Sequence, residues 1–221
     1  MHNIIKGFTH LFLDHLYTDL AWAYDKVSAI VSAGQWKKWV YQIIPLIQGQ
    51  SVLELGIGPG HLQKSLAEAG FAAYGMDFSR QMLRRAKNRL RSVQAARGET
   101  AEARIVRASA EFLPFASDLF DSVATTFPTS FLFNCHTLKN VHRVLKQNGR
   151  LIALLAADPQ GTSITQVLIS FLFKITGQSS GGEEYLSGKI IHLCNQSGFA
   201  ANIRSMEYMN TKLIFLDAVK I

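Results

Sequence analysis

The segment Val52-Leu53-Glu54-Leu55-Gly56-Ile57-Gly58-Pro59-Gly60 joins an apolar run, one acid and three glycines at alternate positions. A helix-like stretch, residues 61–68, follows it. The order predicts a buried strand, a tight turn and a helix N-terminus. Glycine permits positive φ and leaves room for a ligand because it has no Cβ, and the first turn of a helix has unpaired N–H groups. The segment therefore predicts a turn that binds a nucleotide-type ligand, with a glycine-rich turn that binds nothing as the alternative.

The spacing of the glycines separates two ligand classes. The dinucleotide pattern G-x-G-x-x-G needs a glycine five residues after its first, but His61 and Gln63 occupy those positions in the two registers. The pattern E-x-G-x-G-x-G instead resembles the class I S-adenosylmethionine (SAM) methyltransferases. That resemblance implies that Glu54, Gly56, Gly58 and Gly60 hold the methionine part of SAM, and it leaves an NAD-dependent oxidoreductase as the less favoured alternative.

A second acid follows at the spacing that a nucleotide-binding unit requires. Residues 72–76 read as a short buried strand that ends at Asp77, 21 residues after Gly56. An α/β nucleotide site places a carboxylate there for the ribose hydroxyls, and a carboxylate can accept both hydrogen bonds. Phe78 is expected to cover an adenine face, and Ser79 has the character of a helix N-cap.

Two later segments complete the predicted cofactor site. Ser109-Ala110-Glu-Phe-Leu-Pro-Phe115 resembles the family motif D-A-E-x-L-P-F. The resemblance implies that the side chain at 109 meets the adenine amino group and that the backbone of Ala110 meets a ring nitrogen. Ser109 replaces the usual Asp and brings no charge. Thr126 lies at the end of a predicted fourth strand, where open α/β sheets bind ligands.

The segment before the glycine turn is more specific for a subfamily. Tyr24-Asp25, Ser32, Gly34 and Trp39 follow the spacing Y-D-x6-S-x-G-x4-W. This pattern is similar to that of the ubiquinone/menaquinone-biosynthesis methyltransferases and related lipid methyltransferases. It implies that Tyr24 lies nearest the cofactor; packing against the sheet is the alternative, and it is the preferred one for the tryptophans.

The predicted fold is α/β: a Rossmann-like class I methyltransferase sheet of seven mostly parallel strands, with helices on both faces and an N-terminal helical cap. The 221 residues suit one domain. Within it we assign residues 1–48 to the cap, 49–157 to the SAM-binding core, and 158–221 to substrate-side elements and the final strands.

Composition limits the other classes of protein. The chain is 48% hydrophobic and 18% charged, and it contains neither a run of about 18 apolar residues nor the pattern of a signal peptide. Cys135 and Cys194 are the only cysteines and lack the spacing of a zinc motif. We therefore expect no metal and, by default, a cytoplasmic protein.

The acceptor is predicted from apolar segments. Residues 164–175 are apolar almost all round, and residues 3–20 carry apolar side chains at helical spacing. Both favour a small, lipophilic acceptor such as a quinol precursor or a lipid, with peripheral membrane contact; core packing is the alternative.

The net charge of +7 is concentrated on one predicted helix that begins near Arg80, and we rank a nucleic-acid or protein acceptor lower because that helix lies away from the predicted pocket. A SAM-binding protein without activity is a further alternative. His136 and His142 are candidate bases by residue type only, no catalytic residue is assigned, and the sequence indicates no oligomeric state.

Overall fold

The structure is a computed structural model, and it describes residues 34–96, 104–159 and 183–221. Its helices are α1 Trp36–Tyr41, α2 His61–Glu68, α3 Arg80–Ala96, α4 Cys135–Val144 and α5 Glu183–Gln196, with 3₁₀ turns at Ile44–Leu46 and Ser130–Phe133. Its strands are β1 Ser51–Leu55, β2 Ala72–Asp77, β3 Ile105–Arg107, β4 Phe120–Thr126, β5 Leu145–Pro159, β6 Phe199–Tyr208 and β7 Thr211–Lys220.

The strands form one seven-stranded sheet in the order β3-β2-β1-β4-β5-β7-β6. Strands β1 to β5 pair in parallel, whereas β7 runs antiparallel to both β5 and β6. This arrangement confirms the predicted Rossmann-like, mostly parallel sheet. Because β1, β2 and β4 are parallel, their carboxyl ends meet at one edge, where open α/β sheets bind ligands.

Each face of the sheet carries its own apolar core. One core joins α1 and α2 to the sheet through residues such as Trp39, Leu62 and Ile152. The other contains residues of α4 and α5, among them Leu138 and Ile190. Trp39 is only 1% exposed, so the prediction that it packs against the sheet is confirmed.

The sequence after β4 predicts one helix over 129–147, positive φ at Asn148 where that helix ends, and a strand over 150–157. The structure differs from this prediction. A 3₁₀ turn, Ser130–Phe133, comes first, and α4 begins only at Cys135. Asn134 separates the two because its backbone is extended and its side chain accepts the N–H of His136, which makes it the N-cap. Leu145 is again extended and opens β5, so that strand begins before the predicted residue 150.

A polar contact of the half-buried Asp121 fixes the entry to β1. The Asp121 carboxylate accepts the backbone N–H groups of Gln50 and Ser51 and the ammonium of Lys146. Burial raises the pKa of Asp121, but the hydrogen bonds outweigh this effect, led by the one from Lys146, so the pKa is well below its usual range.

None of the helices in the described part of the chain has the length and apolar character needed to cross a membrane.

Candidate functional site

The glycine turn joins β1 to α2 at the carboxyl edge of the sheet. Gly56, Gly58 and Gly60 have φ of 66°, 51° and 81°, a region that L side chains rarely adopt. Among the described residues, a Cβ on Gly58 would meet nothing within 4 Å, whereas one on Gly56 would lie 3.8 Å from the Phe131 ring. The space beside Gly58 is therefore open, and the predicted binding turn has room for a ligand.

Gly60 has a different environment from Gly58. A Cβ on Gly60 would lie 2.8 Å from the Cβ of Ala86 and 3.0 Å from its Cα. Gly60 thus permits the close contact between the N-terminus of α2 and the side of α3. Arg89, also on α3, donates a hydrogen bond from Nη1 to the carbonyl of Pro59, so one of the basic residues of this helix braces the turn.

Asp77 ends β2 beside the turn. Its Oδ2 accepts the N–H of Gly58 and its Oδ1 accepts that of Ser79, both at 2.8 Å. Burial raises the pKa of Asp77, and the backbone N–H groups of Ser79, Gly58 and Phe78 partly offset that effect. The predicted ribose acid therefore also holds the glycine turn, and its carboxylate keeps acceptor capacity for a further donor.

Glu54 lies in β1, two residues before Gly56, and is only 2% exposed. Burial raises its pKa well above the usual value, and the charge of Asp77 adds to the effect. Its Oε2 is buried without a hydrogen-bond partner among the described residues, as is the Oε1 of Gln63 on α2. Gln63 was not predicted as a site residue, and its only sequence signal is a polar side chain on the helix that leaves the turn.

Phe78 follows Asp77 and is 70% exposed. The guanidinium of Arg107 lies 5.5 Å from the centre of its ring, and Arg107 Nε donates to the carbonyl of Phe78 at 2.9 Å. Arg107 pairs with Asp77 across β2 and β3. The ring is thus held from one side by an arginine and keeps most of its surface available for stacking.

The loop after β3 contains Ser109 and Ala110, both half-buried. The Ser109 hydroxyl accepts the N–H of Glu111 at 3.3 Å, and its carbonyl accepts the N–H of Phe112 at 3.0 Å. The Ser109 side chain therefore caps its own turn.

Two side chains of α4 clamp the same loop. Arg143 donates to the carbonyls of Leu113 and Phe115, and Asn140 donates to that of Glu111 at 2.8 Å. These contacts join α4 to the loop after β3.

Thr126 ends β4 at the same edge as the glycine turn. Its neighbour Thr125 donates from Oγ1 to the carbonyl of Leu55 at 2.9 Å, which ties the ends of β4 and β1 together. Phe127 follows with a φ of 48°, rare for a bulky residue, and its ring stacks on Trp36 with centroids 4.0 Å apart. With Phe131 beside Gly56, aromatic rings border this end of the site.

The remaining candidates from the sequence are Tyr24, two apolar segments and two histidines. Tyr24 and the apolar segments 3–20 and 164–175 lie outside the described residues. His136 is exposed at the start of α4, and His142 packs edge-on against Phe199. Phe199 pairs with Lys220, whose ammonium bonds to the carbonyl of Leu145 at the start of β5, so His142 lies at the edge of the sheet opposite to the site. Within the described ranges, no three His, Cys, Asp or Glu side chains are grouped as metal ligands would be.

The chain is similar to known methyltransferases in sequence and in fold. The model of the ubiE/COQ5 methyltransferase family matches residues 8–182. A ubiquinone/menaquinone biosynthesis C-methyltransferase of Geotalea uraniireducens is 24% identical over 90% of this chain and 89% of its own. A demethylmenaquinone methyltransferase of Renibacterium salmoninarum is 29% identical over 75% of this chain and 69% of its own.

Among solved structures, geranyl diphosphate C-methyltransferase of Streptomyces coelicolor, in complex with S-adenosyl-L-homocysteine, superposes with a TM-score of 0.59 at 10% identity. The superposition covers 82% of this chain and 78% of that one. It supports the fold, whereas the family model extends across most of the chain, including the glycine turn and Asp77. The chain therefore belongs to the ubiE/COQ5 methyltransferase family and is a SAM-dependent methyltransferase.

Proposed function

We propose that this protein transfers a methyl group from SAM to a small lipophilic acceptor, a quinol precursor or a lipid-like molecule. The observation that carries the proposal is the family match over residues 8–182, together with relatives whose names specify quinone methylation. The match includes the N-terminal segment with Tyr24, the segment that resembles the quinone and lipid methyltransferases. We propose that Tyr24 faces the cofactor.

The described residues fit SAM on two structural observations. In the part of the chain that the structure describes, the space beside Gly58 is open where a Cβ would fill it, and Glu54 presents a buried oxygen without a donor. We assign Glu54, Gly56, Gly58 and Gly60 to the amino-acid end of the cofactor. Of the glycines, Gly56 and Gly58 border the ligand, and Gly60 acts by letting α2 approach α3.

The adenosine end would lie along the carboxyl ends of β2 and β3. We assign Asp77 to the ribose hydroxyls, since its carboxylate retains acceptor capacity. Phe78 would stack on the adenine, and the backbone of Ala110 and the hydroxyl of Ser109 would face its edge. Because Ser109 Oγ already accepts one N–H, it has a single lone pair left for the adenine amino group.

Little further chemistry is needed from the protein. SAM supplies a methyl group on a sulfonium, and the sulfur leaves as a neutral thioether. An acceptor that is a hydroxyl or a carbon acid loses a proton in the same reaction. The residues of this chain then need to align the acceptor and exclude water. We assign that role to Thr126 and to the aromatic rings of Trp36, Phe127 and Phe131, which border the end of β4. The position of His142 at the opposite edge removes it as a base.

The acceptor side rests on apolar surface. Burying a lipophilic molecule gains about 25 cal/mol per Å² of apolar area, and residues 164–175 and 3–20 are apolar segments suited to that purpose. Exposed Arg80, Arg84 and Arg91 would add attraction to an anionic membrane, which weakens with salt. A cytoplasmic protein that contacts the membrane peripherally is part of this proposal.

The test is transfer of a labelled methyl group from SAM into cell extract. We expect label in the organic-soluble fraction, enriched by added demethylated quinols. The variant Phe171→Asp, in the apolar segment 164–175, should reduce acceptor use while SAM binding is kept. An equal loss of both would favour core packing for that segment.

A nucleic-acid or protein acceptor is the second candidate, favoured by the net charge of +7 and the exposed arginines of α3. Label found only in RNA or protein would establish it. SAM binding without transfer to any fraction would instead indicate a binding protein without activity.

A further inference from the structure

Two buried acceptor atoms lie beside the glycine turn without donors. The Oε2 of Glu54 and the Oε1 of Gln63 have no hydrogen-bond partner in the part of the chain that the structure describes. Each residue is only 2% exposed, so bulk water does not supply the missing donors. Leaving a buried polar group unpaired is unfavourable, and a pair of such groups in one place points to an absent ligand.

The two side chains come from different elements that are both next to one backbone position, Gly75. Glu54 of β1 pairs in register with Gly75 of β2. A Cβ on Gly75 would lie 3.0 Å from Gln63 Oε1 and 2.8 Å from Ile57 Cγ2. In a parallel pair, residues in register project to the same face, so Glu54 and Gln63 both lie over the face covered by α2. Gly75, the strand partner of Glu54, leaves the space that Gln63 occupies.

The chemistry of the pair selects a cationic N–H donor. Once deprotonated, the Glu54 carboxylate accepts only, and the amide oxygen of Gln63 adds a second acceptor, whereas an ammonium group offers three donors and a positive charge. Calcium or magnesium would need about six oxygen ligands, and the described residues hold no group of three His, Cys, Asp or Glu that could start such a shell.

We propose that Gln63 is a further cofactor-binding residue, which accepts a hydrogen bond from the protonated amino group of the cofactor together with Glu54. This inference rests on the proposed function, because it uses the amino-acid end of SAM as the donor. It makes Gln63 a determinant of ligand selectivity: it favours cofactor-like molecules that carry the amine over nucleosides that lack it.

The experiment compares two ligands in calorimetric titrations. S-adenosylhomocysteine carries the amine, and 5′-methylthioadenosine has the same adenosine and thioether but no amino-acid group. The variant Gln63→Met keeps the length of the side chain and removes the acceptor. We expect it to lower the affinity for S-adenosylhomocysteine by about tenfold or more and to leave the affinity for 5′-methylthioadenosine unchanged.

A double-mutant cycle tests whether Gln63 acts together with Glu54. In a Glu54→Gln background the carboxylate is already gone, so Gln63→Met should cost much less than in the wild-type protein. Gln63→Asn, which withdraws the amide by one methylene, should show the same ligand selectivity and serves if Gln63→Met does not fold.

Other results would overturn the inference. An equal loss of affinity for both ligands would mean that Gln63 only supports the turn. Unchanged affinity for S-adenosylhomocysteine would mean that no amine reaches Gln63. Either result leaves the methyltransferase proposal standing as long as the wild-type protein binds S-adenosylhomocysteine. Failure of the wild-type protein to bind it would count against both.

Discussion

The Oδ2 atom of Asp77 lies 2.8 Å from the backbone nitrogen of Gly58 and accepts its hydrogen bond. The carboxylate at the end of β2 and the middle glycine of the turn after β1 are thereby joined directly. The same acid that is proposed to hold the ribose fixes the shape of the turn that is proposed to hold the amino-acid end. Substitutions at either residue should therefore affect the whole cofactor site.

Gly58 and Gly60 should respond differently to a side chain. Gly58→Val should leave a folded protein, destabilised by about 1–2 kcal/mol through its left-handed φ, and should abolish SAM binding because the Cβ enters open ligand space. Gly60→Ala should mainly lower the melting temperature, because its Cβ would contact Ala86 at 2.8 Å. Thermal unfolding and calorimetry on both variants measure the difference, and unimpaired SAM affinity in Gly58→Val would refute the site.

Asp77→Ala should weaken SAM binding by about 1.5–3 kcal/mol, the range for a hydrogen bond to a charged group. It should also destabilise the protein because the N–H groups of Gly58 and Ser79 lose their acceptor. Calorimetry gives the first quantity and urea unfolding the second. A loss of stability with full cofactor affinity would show that Asp77 serves the turn alone.

Glu54 should make stability and binding depend on pH in opposite directions. Its pKa in the folded protein is raised above the ordinary value of about 4.3, so its contribution to stability is full below that value and is lost as pH rises through the raised pKa. The variant Glu54→Gln, which stays neutral, should therefore melt at a higher temperature than wild type at pH 8, and the difference should shrink toward pH 4.

Binding supplies the complementary measurement. A cationic amine requires the Glu54 carboxylate, so wild-type affinity for S-adenosylhomocysteine should increase with pH and binding should release protons to the buffer. Calorimetry in buffers of different ionisation enthalpy detects that release. Glu54→Gln should bind weakly without it, and an equal proton release by the variant would assign the proton to another group.

Asp121 should be a stabilising residue without a role in binding. Asp121→Asn removes the charge that attracts Lys146 and one acceptor for the N-terminal end of β1, and we expect a cost of about 1–3 kcal/mol at pH 7. Because the pKa of Asp121 is lowered, this contribution is present above its ordinary pKa and disappears as pH falls through the lowered one. Urea unfolding at pH 7 and pH 3 tests this, with cofactor affinity unchanged as the control.

Trp36 should affect the acceptor more than the cofactor. Its ring stacks on Phe127 at the end of β4, and such aromatic pairs contribute about 0.5–1.5 kcal/mol beyond burial. Trp36→Leu should lower methyl transfer several-fold while the affinity for S-adenosylhomocysteine stays within about twofold. A matched loss in affinity would place Trp36 on the cofactor side.

The sequence by itself determined the class of fold and cofactor. Hydrophobic runs, the glycines at 56, 58 and 60, and Asp77 at a fixed distance are local signals, because turn geometry and strand length restrict which residues are tolerated there. The same logic predicted the packing of Trp39 and the positive φ of Asn148, which is 60°, although Asn148 lies within β5 and not at the predicted end of a helix.

Only the tertiary structure decided how these residues divide the work. Gly58 and Gly60 have similar φ and look equivalent in sequence, but one borders open space and the other touches Ala86. Contacts between elements distant along the chain decide three further features. These are the oxygens of Glu54 and Gln63 that lack partners among the described residues, the stack of Trp36 on Phe127, and the position of His142 at the far edge. A linear pattern cannot encode those contacts, because burial and distance are set by how the helices pack onto the two faces of the sheet.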